Sequence, residues 1–297
     1  MNVQAWWIAF RPKTLIVSIA PVFLGVALAY HDNSNQVNWV IGILTLMASV
    51  LIQIGTNLVN DVYDFIKGAD DKDRLGPMRV TQSGLLSEKK VKNGAFLCFF
   101  LALLIGVYLV YQGGVPILLI GSFAIISGYC YTAGPYPLGY NGLGDIFVFI
   151  FFGLIAVPGT YYLQSGILFS KESILIGSTI GFIAVAILCV NNIRDIESDK
   201  KAGKKTLAVR FGRKAIILLY DLMIFLPYIC ISMLFFNKNG LFFFDLTLCL
   251  LLLSVPVAIS LIIDIHNKHN KELNNILIRT ALFMRMYFML LMVGIVL

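Results

Sequence analysis

The sequence predicts an all-α integral membrane protein of about nine transmembrane helices, with its N-terminus in the cytoplasm. Of the 297 residues, 59% are hydrophobic and 13% are charged, and the mean hydropathy is +0.85. Soluble chains are about one quarter charged, and a soluble core of this size has no room for so much apolar surface. Long apolar runs recur along the whole chain, with nearly all the basic residues on one side of them. These observations exclude an ordinary soluble domain.

Nine apolar windows reach the length that a helix needs to cross a bilayer, roughly 20 residues with a lower limit of about 17. The windows are residues 14–30, 38–59, 92–111, 115–131, 145–163, 173–192, 214–235, 241–262 and 278–297. The glycines and the proline of residues 112–116 predict a tight turn between the third and fourth spans. No linker interrupts the series, so residues 1–297 are predicted to form a single polytopic domain.

The distribution of basic residues predicts the orientation. With a cytoplasmic N-terminus, 20 of the 23 Lys and Arg residues lie inside, Lys171 and Lys238 lie in outer loops, and Arg285 lies within the last span. Cytoplasmic loops carry such an excess of Lys and Arg. The loops 60–92 and 193–214 are therefore predicted to be cytoplasmic. Topology and an anionic ligand account for the positive charge, so no nucleic-acid partner is expected.

Two charged residues fall inside predicted spans. Asp221 in the seventh span and Arg285 in the ninth each lie seven residues past the predicted cytoplasmic start of their span, roughly 10 Å deep. Unpaired charges at that depth are costly. We therefore expect the two to form a structural ion pair, the alternatives being that Arg285 faces a pocket or that each pairs elsewhere.

Acidic clusters follow the second and sixth spans, at the start of the two long cytoplasmic loops. In each cluster an Asn is followed by Asp at helical spacing: Asn60, Asp61 and Asp64, then Asn191, Asp195 and Asp199. Residues four apart share one helix face, about 6 Å apart along the axis. Stacked carboxylates repel unless a cation bridges them, and Mg²⁺ takes oxygen ligands completed by substrate phosphate. Basic residues follow both clusters, which favours a diphosphate clamp over two ordinary solvated helix ends.

The motifs Asn60-Asp61-x-x-Asp64 and Asp195-x-x-x-Asp199 resemble those of the UbiA superfamily of membrane aromatic prenyltransferases. The resemblance covers essentially the whole chain, including the early Arg11-Pro12. Gly68 is a departure, since many members carry a further Asp there, and Asp70 and Asp71 lie just beyond it.

Longer runs resemble the branch of that family that prenylates 1,4-dihydroxy-2-naphthoate. They include residues 134–144, which begin Gly-Pro-Tyr-Pro-Leu-Gly-Tyr, and Asn191-Asn192-x-Arg194-Asp195. Asp145 is a mild departure, because that branch is expected to carry Glu there. The loop 132–144 has none of the basic residues expected of the 4-hydroxybenzoate branch.

The resemblance implies a reaction and a set of roles. A polyprenyl diphosphate donates its chain to 1,4-dihydroxy-2-naphthoate with loss of diphosphate and CO₂, in menaquinone biosynthesis at the bacterial inner membrane. The implied cofactor is Mg²⁺, with Mn²⁺ as a substitute, held by Asn60, Asp61, Asp64, Asn191, Asp195 and Asp199, whose four aspartates are the catalytic candidates. The candidate substrate-binding residues are Asn60, Asn191, Arg74, Arg79, Lys204, Arg210, Tyr63, Tyr131, Tyr136 and Tyr140. Arg79 is a candidate for the acceptor carboxylate, and the tyrosines for shielding an allylic cation.

Two alternative functions stay open at this point. A sister enzyme acting on 4-hydroxybenzoate or homogentisate would use the same metal clamp, although the Gly-Pro loop argues against it. A cation-coupled transporter would use the carboxylates as an ion site, but such sites lie near the bilayer midplane and not at helix ends.

Overall fold

The computed structural model describes residues 3–70, 74–234 and 246–297, and helix is the regular secondary structure throughout these ranges. The long helices and the short ones that flank the site are numbered in chain order. They are α1 Val3–Phe10, α2 Ile16–Asp32, α3 Trp39–Ile66, α4 Glu88–Cys130, α5 Gly144–Ser165, α6 Lys171–Arg194, α7 Ile196–Lys201, α8 Leu207–Leu234, α9 Leu246–Asn267 and α10 Leu273–Val296. The all-α prediction is confirmed for these residues.

Seven of the described helices are long and apolar enough to cross a membrane, so this is a multi-pass membrane protein. They are α3, α4, α5, α6, α8, α9 and the segment that contains α10. An eighth crossing results if α1 and α2, which meet at an angle of 53°, are counted together. The predicted count of nine is reached only if α4 is also counted as two. The predicted span 241–262 begins outside the described residues, and 214–235 ends outside them.

Helix α4 is interrupted where the sequence predicts a turn. Gly114 has φ 66° and ψ −154°, a conformation open to glycine, and it breaks a helix of 43 residues. Without the break this helix would be about 65 Å long, twice the hydrocarbon thickness of roughly 30 Å. The hydroxyl of Tyr162 in α5 donates a hydrogen bond of 3.0 Å to the carbonyl oxygen of Gly113. The interrupted backbone is thus satisfied by a neighbouring helix.

Helix α6 is the central element of the bundle. In its most apolar window 78% of the residues are buried, against 17% in those of α3 and α4. It packs against α2, α5, α8 and α10, and its interior side chains belong to the largest apolar cluster of the described residues. The peripheral helices turn most of their apolar side chains outward, as expected of helices surrounded by lipid. The second acidic motif lies at the end of α6 and is fixed in place because this helix is packed on nearly all sides.

Small residues allow α5 and α6 to approach closely. A Cβ atom added to Gly181 would lie 2.8 Å from the Cα atom of Gly153, inside van der Waals contact. Gly153 lies in a π-helical segment of α5, Phe149–Ile155, and such segments often occur near functional sites. Membrane helices associate through close backbone packing of this kind, because lipid offers no hydrophobic driving force between them.

The predicted ion pair between Asp221 and Arg285 is wrong. Asp221 Oδ2 lies 2.9 Å from Nε2 of His266 on α9, while Arg285 is exposed on α10. Arg279, one and a half turns earlier on α10, pairs with Asp264. The sequence places Asp221 and Arg285 at the same depth in the membrane. The rotation of α8 and α10 about their axes, however, turns the two side chains toward different neighbours.

Gly181→Ala is expected to lower the free energy of unfolding by about 1–3 kcal/mol, because the added methyl group overpacks the backbone contact with α5. Gly106→Ala in α4 is the matched control, since a Cβ atom there meets nothing within 4 Å. Thermal unfolding of both variants in detergent measures the difference. Equal stability of the two variants would contradict the close approach of α5 and α6.

Candidate active site

The first acidic motif lies on the last turns of α3, beyond its apolar run. Asn60 Oδ1 accepts a hydrogen bond of 2.7 Å from the Thr132 hydroxyl, and Asp64 Oδ1 accepts one of 2.9 Å from the Tyr140 hydroxyl. Both donors belong to the segment that joins α4 to α5. The prediction that Asn60 and Asp64 share a helix is confirmed, and their common face meets the Gly-Pro loop.

Gly68 ends this helix and returns the chain toward it. Its φ of +74° is left-handed, and the backbone amides of Ala69 and Asp70 both donate to the carbonyl oxygen of Asp64, at 2.8 and 3.3 Å. A left-handed glycine in this position is a common helix ending. The turn buries Asp70 to 5% exposure. At the position where many family members carry an Asp, this chain has Gly68 and its turn. The carboxylate of Asp70 follows two residues later.

The second motif lies where α6 gives way to α7. The helix breaks at Asp195, which has φ −98° and ψ 12°, so residues 191–199 are not the single helix that the spacing predicted. The backbone hydrogen bonds from Asp195 to Asn191 and from Asp199 to Asp195 persist, at 3.0 and 2.8 Å. The three side chains therefore remain close to one turn apart despite the break.

Arg194 organises the second motif. Its Nε and Nη2 atoms donate to the two carboxylate oxygens of Asp195 at 2.7 and 2.6 Å, and Nη2 also donates to Asn191 Oδ1 at 2.9 Å. Its Nη1 atom donates to Asn274 Oδ1 at 2.9 Å. Such a bidentate arginine–carboxylate pair is both strong and directional. Arg194 thereby fixes the direction in which Asn191 and Asp195 present their oxygens.

Basic side chains join the two motifs. Lys204 Nζ lies 3.9 Å from Asp64 and 3.5 Å from Asp199, while Arg74 Nη2 lies 4.0 Å from Asp195 and its Nε atom 2.5 Å from Asp70. Lys204 therefore contacts both motifs, and Arg74 joins the second motif to Asp70, which follows the first. The structure confirms that segments about 130 residues apart in sequence meet at one site.

Arg79 remains within the first motif. Its Nη2 atom lies 3.8 Å from Asp64 Oδ2, and its Nε atom lies 3.1 Å from Asp70 Oδ2. The latter contact is an ion pair without hydrogen-bond alignment, since both atoms have no hydrogen-bond partner among the described residues. The Arg79 guanidinium therefore already pairs with two carboxylates of the first acidic segment, Asp64 and Asp70.

Burial and charge shift the protonation of these groups. Burial raises the pKa of Asp70 to about 7, against the opposing effect of Arg74. It raises the pKa of Asp199 to about 6, against that of Lys204. Burial alone would lower the pKa of Lys204, but the nearby carboxylates outweigh it and the pKa is raised. Burial and then Asp64 raise the pKa of Tyr140, so its hydroxyl remains a hydrogen-bond donor. Burial is therefore the main cause of the raised carboxylate pKa values, and the neighbouring cations oppose it.

A cavity of about 540 Å³ extends away from the motifs between α2, α3, α4, α5 and α6. Most of its lining is apolar, with Val107, Ile117 and Phe151 among the residues of its wall. Asn60 of the first motif and Asn191 of the second line its polar end, together with Tyr131. The cavity therefore connects the acidic site with a long apolar compartment inside the membrane-spanning bundle.

Four predicted site residues lie away from the ion cluster. Asp61 accepts the backbone amides of Thr81 and Val80, at 2.9 and 3.2 Å, and so holds the loop that carries Arg79. Tyr63 pairs through its hydroxyl with Tyr129, at 3.1 Å. The side chains of Asp61 and Tyr63 point away from the face that carries Asn60 and Asp64, because successive residues of a helix point about 100° apart.

The other two such residues are Tyr136 and Arg210. Tyr136 is 61% exposed. Arg210 donates to the carbonyl oxygens of Lys205 and Asn141, at 3.0 and 2.8 Å. It thus ties the loop after α7 to the turn before α5 without reaching the carboxylates. Loop geometry, which the sequence does not reveal, decides both placements.

Sequence reasoning missed three residues of the site. Lys67 donates to the Thr132 carbonyl oxygen at 2.6 Å and lies 4.4 Å from the ring centroid of Tyr140. Arg11 lines the cavity. Asn274 at the start of α10 accepts from Arg194 and donates to the Leu75 carbonyl oxygen at 2.8 Å. Two signals were available: the position of Lys67, one turn past Asp64, and the early Arg11-Pro12 of the family resemblance. No sequence pattern marks Asn274.

The donor set fits a hard divalent cation. The groups of both motifs are carboxylate and amide oxygens, the ligands that Mg²⁺ takes. Among the described residues no three carboxylate, His or Cys groups lie close enough to enclose a metal, because Lys204 and Arg74 lie between them. The chemistry of the site thus fits Mg²⁺, with basic side chains balancing the carboxylates in its place.

Asn274→Ala is expected to weaken the binding of Mg²⁺ and inorganic diphosphate by about 10- to 100-fold, the usual effect of removing a partner that orients a ligand residue. The change removes one hydrogen bond to Arg194 and one to the loop at Leu75. Calorimetric titration of the detergent-solubilised protein measures the affinity. Asn275→Ala, at the exposed neighbouring position, is the control. Equal affinities of the two variants would show that Asn274 does not position the motif.

Comparison with known proteins supports one family. The 1,4-dihydroxy-2-naphthoate octaprenyltransferase of Haemophilus influenzae is 42% identical over 218 residues, covering 71% of this chain and 70% of that protein. The Escherichia coli protein of the same name is 40% identical over 215 residues, covering 70% and 69%. A solved structure of a UbiA homolog from Archaeoglobus fulgidus, bound to DMAPP and Mg²⁺, has a TM-score of 0.59 at 17% identity and covers 96% of this chain and 98% of that one.

That structural likeness establishes the fold. The family model for the UbiA prenyltransferase family matches residues 18–288, which include both acidic motifs and nearly all the cavity lining. With relatives 40% and 42% identical over more than two thirds of their length, the conclusion follows that this chain belongs to the UbiA prenyltransferase family.

Proposed function

We propose that this protein transfers a polyprenyl chain from a polyprenyl diphosphate to 1,4-dihydroxy-2-naphthoate, with loss of diphosphate and CO₂, giving a demethylmenaquinol for menaquinone biosynthesis. The observation that carries the proposal is the cavity, whose apolar length ends at Asn60 and Asn191 of the two acidic motifs. The bacterial relatives named 1,4-dihydroxy-2-naphthoate octaprenyltransferase support the choice of acceptor.

The cavity matches the shape of an amphiphilic donor. Its wall of Val107, Ile117 and Phe151 suits a prenyl tail, which gains free energy of about 25 cal/mol per Å² of apolar surface removed from water. The diphosphate then lies at the other end, where Lys204 and Arg74 provide counter-charges. A phosphate oxygen replaces a carboxylate as the partner of these cations without exposing either charge.

The two asparagines and Asp64, Asp195 and Asp199 would hold Mg²⁺, or Mn²⁺, which takes the same oxygen donors. Mg²⁺ bound there supplies Lewis-acid stabilisation of the departing diphosphate. The Archaeoglobus homolog that binds DMAPP and Mg²⁺ supports this cofactor. Asp61, whose two oxygens also accept backbone amides, remains a further candidate ligand.

The aromatic residues at the polar end suit the next step. When the allylic carbon–oxygen bond breaks, the bonding electrons leave with diphosphate and the prenyl carbon becomes cationic. The face of Tyr131 and the rings of Phe147 and Phe151 line the adjoining wall and can stabilise that carbon through cation–π attraction. Their apolar surface also excludes water, which would otherwise capture the cation before the electron-rich naphthoate ring attacks it.

In this proposal residues 1–297 form one polytopic domain of nine crossings in a bacterial inner membrane. The N-terminus and the acidic site face the cytoplasm, where the water-soluble acceptor enters. The excess of Lys and Arg in loops 60–92 and 193–214 supports this orientation, and the break at Gly114 supports counting α4 as two crossings.

The purified protein, given a polyprenyl diphosphate and carboxyl-labelled 1,4-dihydroxy-2-naphthoate, is expected to release labelled CO₂ in a one-to-one ratio with prenylated product. Turnover should stop in chelator and return with Mg²⁺. Asp64→Asn and Asp199→Asn should each lower the turnover rate by at least about 100-fold, since each removes a charge from the metal and diphosphate site. Scintillation counting and chromatography of the product measure both quantities.

Glu88→Gln is the matched carboxylate control, because Glu88 forms its ion pair with Lys92 at the surface, and it should keep wild-type turnover. Efficient prenylation of 4-hydroxybenzoate with its carboxylate retained would move the protein to the sister branch. Full turnover in chelator would contradict the metal clamp, and ion flux into vesicles without any prenyl transfer would favour the transporter.

The orientation is tested with single cysteines introduced at Ser87 and Ser198 after the five native cysteines are replaced. An impermeant maleimide is expected to label both positions only from the cytoplasmic face of sealed vesicles, because they lie within the basic loops 60–92 and 193–214 that are predicted to remain inside. A cysteine at Lys171, in a predicted outer loop, serves as the opposite control. Labelling of Ser87 from the outer face would reverse the assignment.

A further inference from the structure

Arg11 occupies a strained backbone position between α1 and α2. Its φ of 53° and ψ of 61° are left-handed, which is uncommon for a residue with a side chain and persists only where the surroundings enforce it. The Asn57 side chain donates to the Phe10 carbonyl oxygen at 3.1 Å, and the Thr14 hydroxyl donates to the Arg11 carbonyl oxygen at 2.9 Å. These bonds hold the turn from both sides.

The turn brings Arg11 to the cavity. Among the described residues that line it, Arg11 is the one with a charged side chain, beside a polar group of Asn57, Asn60 and Tyr131. Strain of this kind clusters at binding and catalytic sites. A charge in an otherwise neutral cavity is costly unless a ligand of opposite charge meets it.

The guanidinium of Arg11 also differs from the other arginines of the site. Its Nη2 atom is buried and has no hydrogen-bond partner among the described residues, whereas Arg74, Arg79 and Arg194 each pair with a carboxylate in direct contact. The described part of the chain gives Arg11 no ion pair; Asp61 and Asp70 act on it only at longer range. One cation at the cavity wall is therefore free for an oxyanion.

We infer that Arg11 binds the carboxylate of the aromatic acceptor and orients its ring in the cavity, an assignment that rests on the proposed function. Arginine suits this role because its planar fork matches a carboxylate with two parallel hydrogen bonds. Arg79 is less suited, since Asp64 and Asp70 already occupy it.

The donor diphosphate is the other oxyanion that enters the site, and its place is elsewhere. Lys204, which contacts both motifs, and Arg74, which lies between Asp70 and Asp195, are placed where a diphosphate held by both motifs has to bind. The charged groups that act on Arg11 all belong to residues 61–74, and none to the second motif. Arg11 therefore lies at the cavity wall on the side of the first motif.

The test compares acceptors with and without the carboxylate. In Arg11→Asn, which removes the charge and tolerates a left-handed backbone, the KM for 1,4-dihydroxy-2-naphthoate should rise about 10- to 100-fold, the contribution of hydrogen bonds to a charged group. The KM for 1,4-dihydroxynaphthalene and the KM for the polyprenyl diphosphate should change less than about twofold. Arg11→Lys should recover part of the naphthoate affinity, and Lys13→Ala, at an exposed position, should match wild type.

A rise in the donor KM instead would assign Arg11 to the diphosphate. Equal losses with both acceptors, or a lower melting temperature of Arg11→Asn, would make its role structural. If the wild-type protein fails to prenylate naphthoate, the proposed function fails separately, and the same comparison is made with 4-hydroxybenzoate and phenol. A carboxylate-selective loss in that pair would still support Arg11 as the carboxylate site, and its absence would overturn it.

Discussion

Carboxylates at the ends of two neighbouring membrane helices can lie together only if positive charge lies between them. Unit charges about 4 Å apart interact by roughly 4 kcal/mol at the effective dielectric of a protein surface, which exceeds the contribution of most single side-chain contacts. Lys204 and Arg74 supply that charge here. Lys204 contacts Asp64 and Asp199, and Arg74 contacts Asp70 and Asp195, so both side chains connect the end of α3 with the end of α6. The loops that carry these cations are therefore as necessary to the site as the acidic motifs.

The same charge balance explains how the site and the bundle depend on each other. Helix α6 is fixed by burial on nearly all sides and by its close contact with α5 at Gly181, so Asp195 starts from a rigid position. Arg194 and Asn274 then connect that position to α10 and to the loop at Leu75. A ligand that displaces Lys204 or Arg74 from a carboxylate thus acts on three segments that are remote in sequence. The cavity beside these segments connects the polar site with an apolar compartment.

Much of the site was predictable because helical spacing is a local property. Asn60 and Asp64, four residues apart in α3, had to share a face, and both motifs had to lie at the same membrane surface if the spans alternate in direction. The motif does not show the rotation of its helix, which turns Asp61 toward the backbone amides of Val80 and Thr81 and Tyr63 toward Tyr129. Asn274 could not be found at all, since its partners are 80 and 199 residues away.

The sequence by itself determined that the chain is helical, that it lies in a membrane, and where its apolar segments and the turn at Gly114 fall. These features follow from transfer free energies and backbone preferences, which each short segment carries alone. Only the tertiary structure decided that Asp221 meets His266, that the turn at Gly68 buries Asp70, and that Arg11 reaches the cavity with an Nη2 atom that has no hydrogen-bond partner among the described residues. Those outcomes depend on how whole helices rotate and pack, because the free energy of a contact belongs to both partners and neither segment specifies it alone.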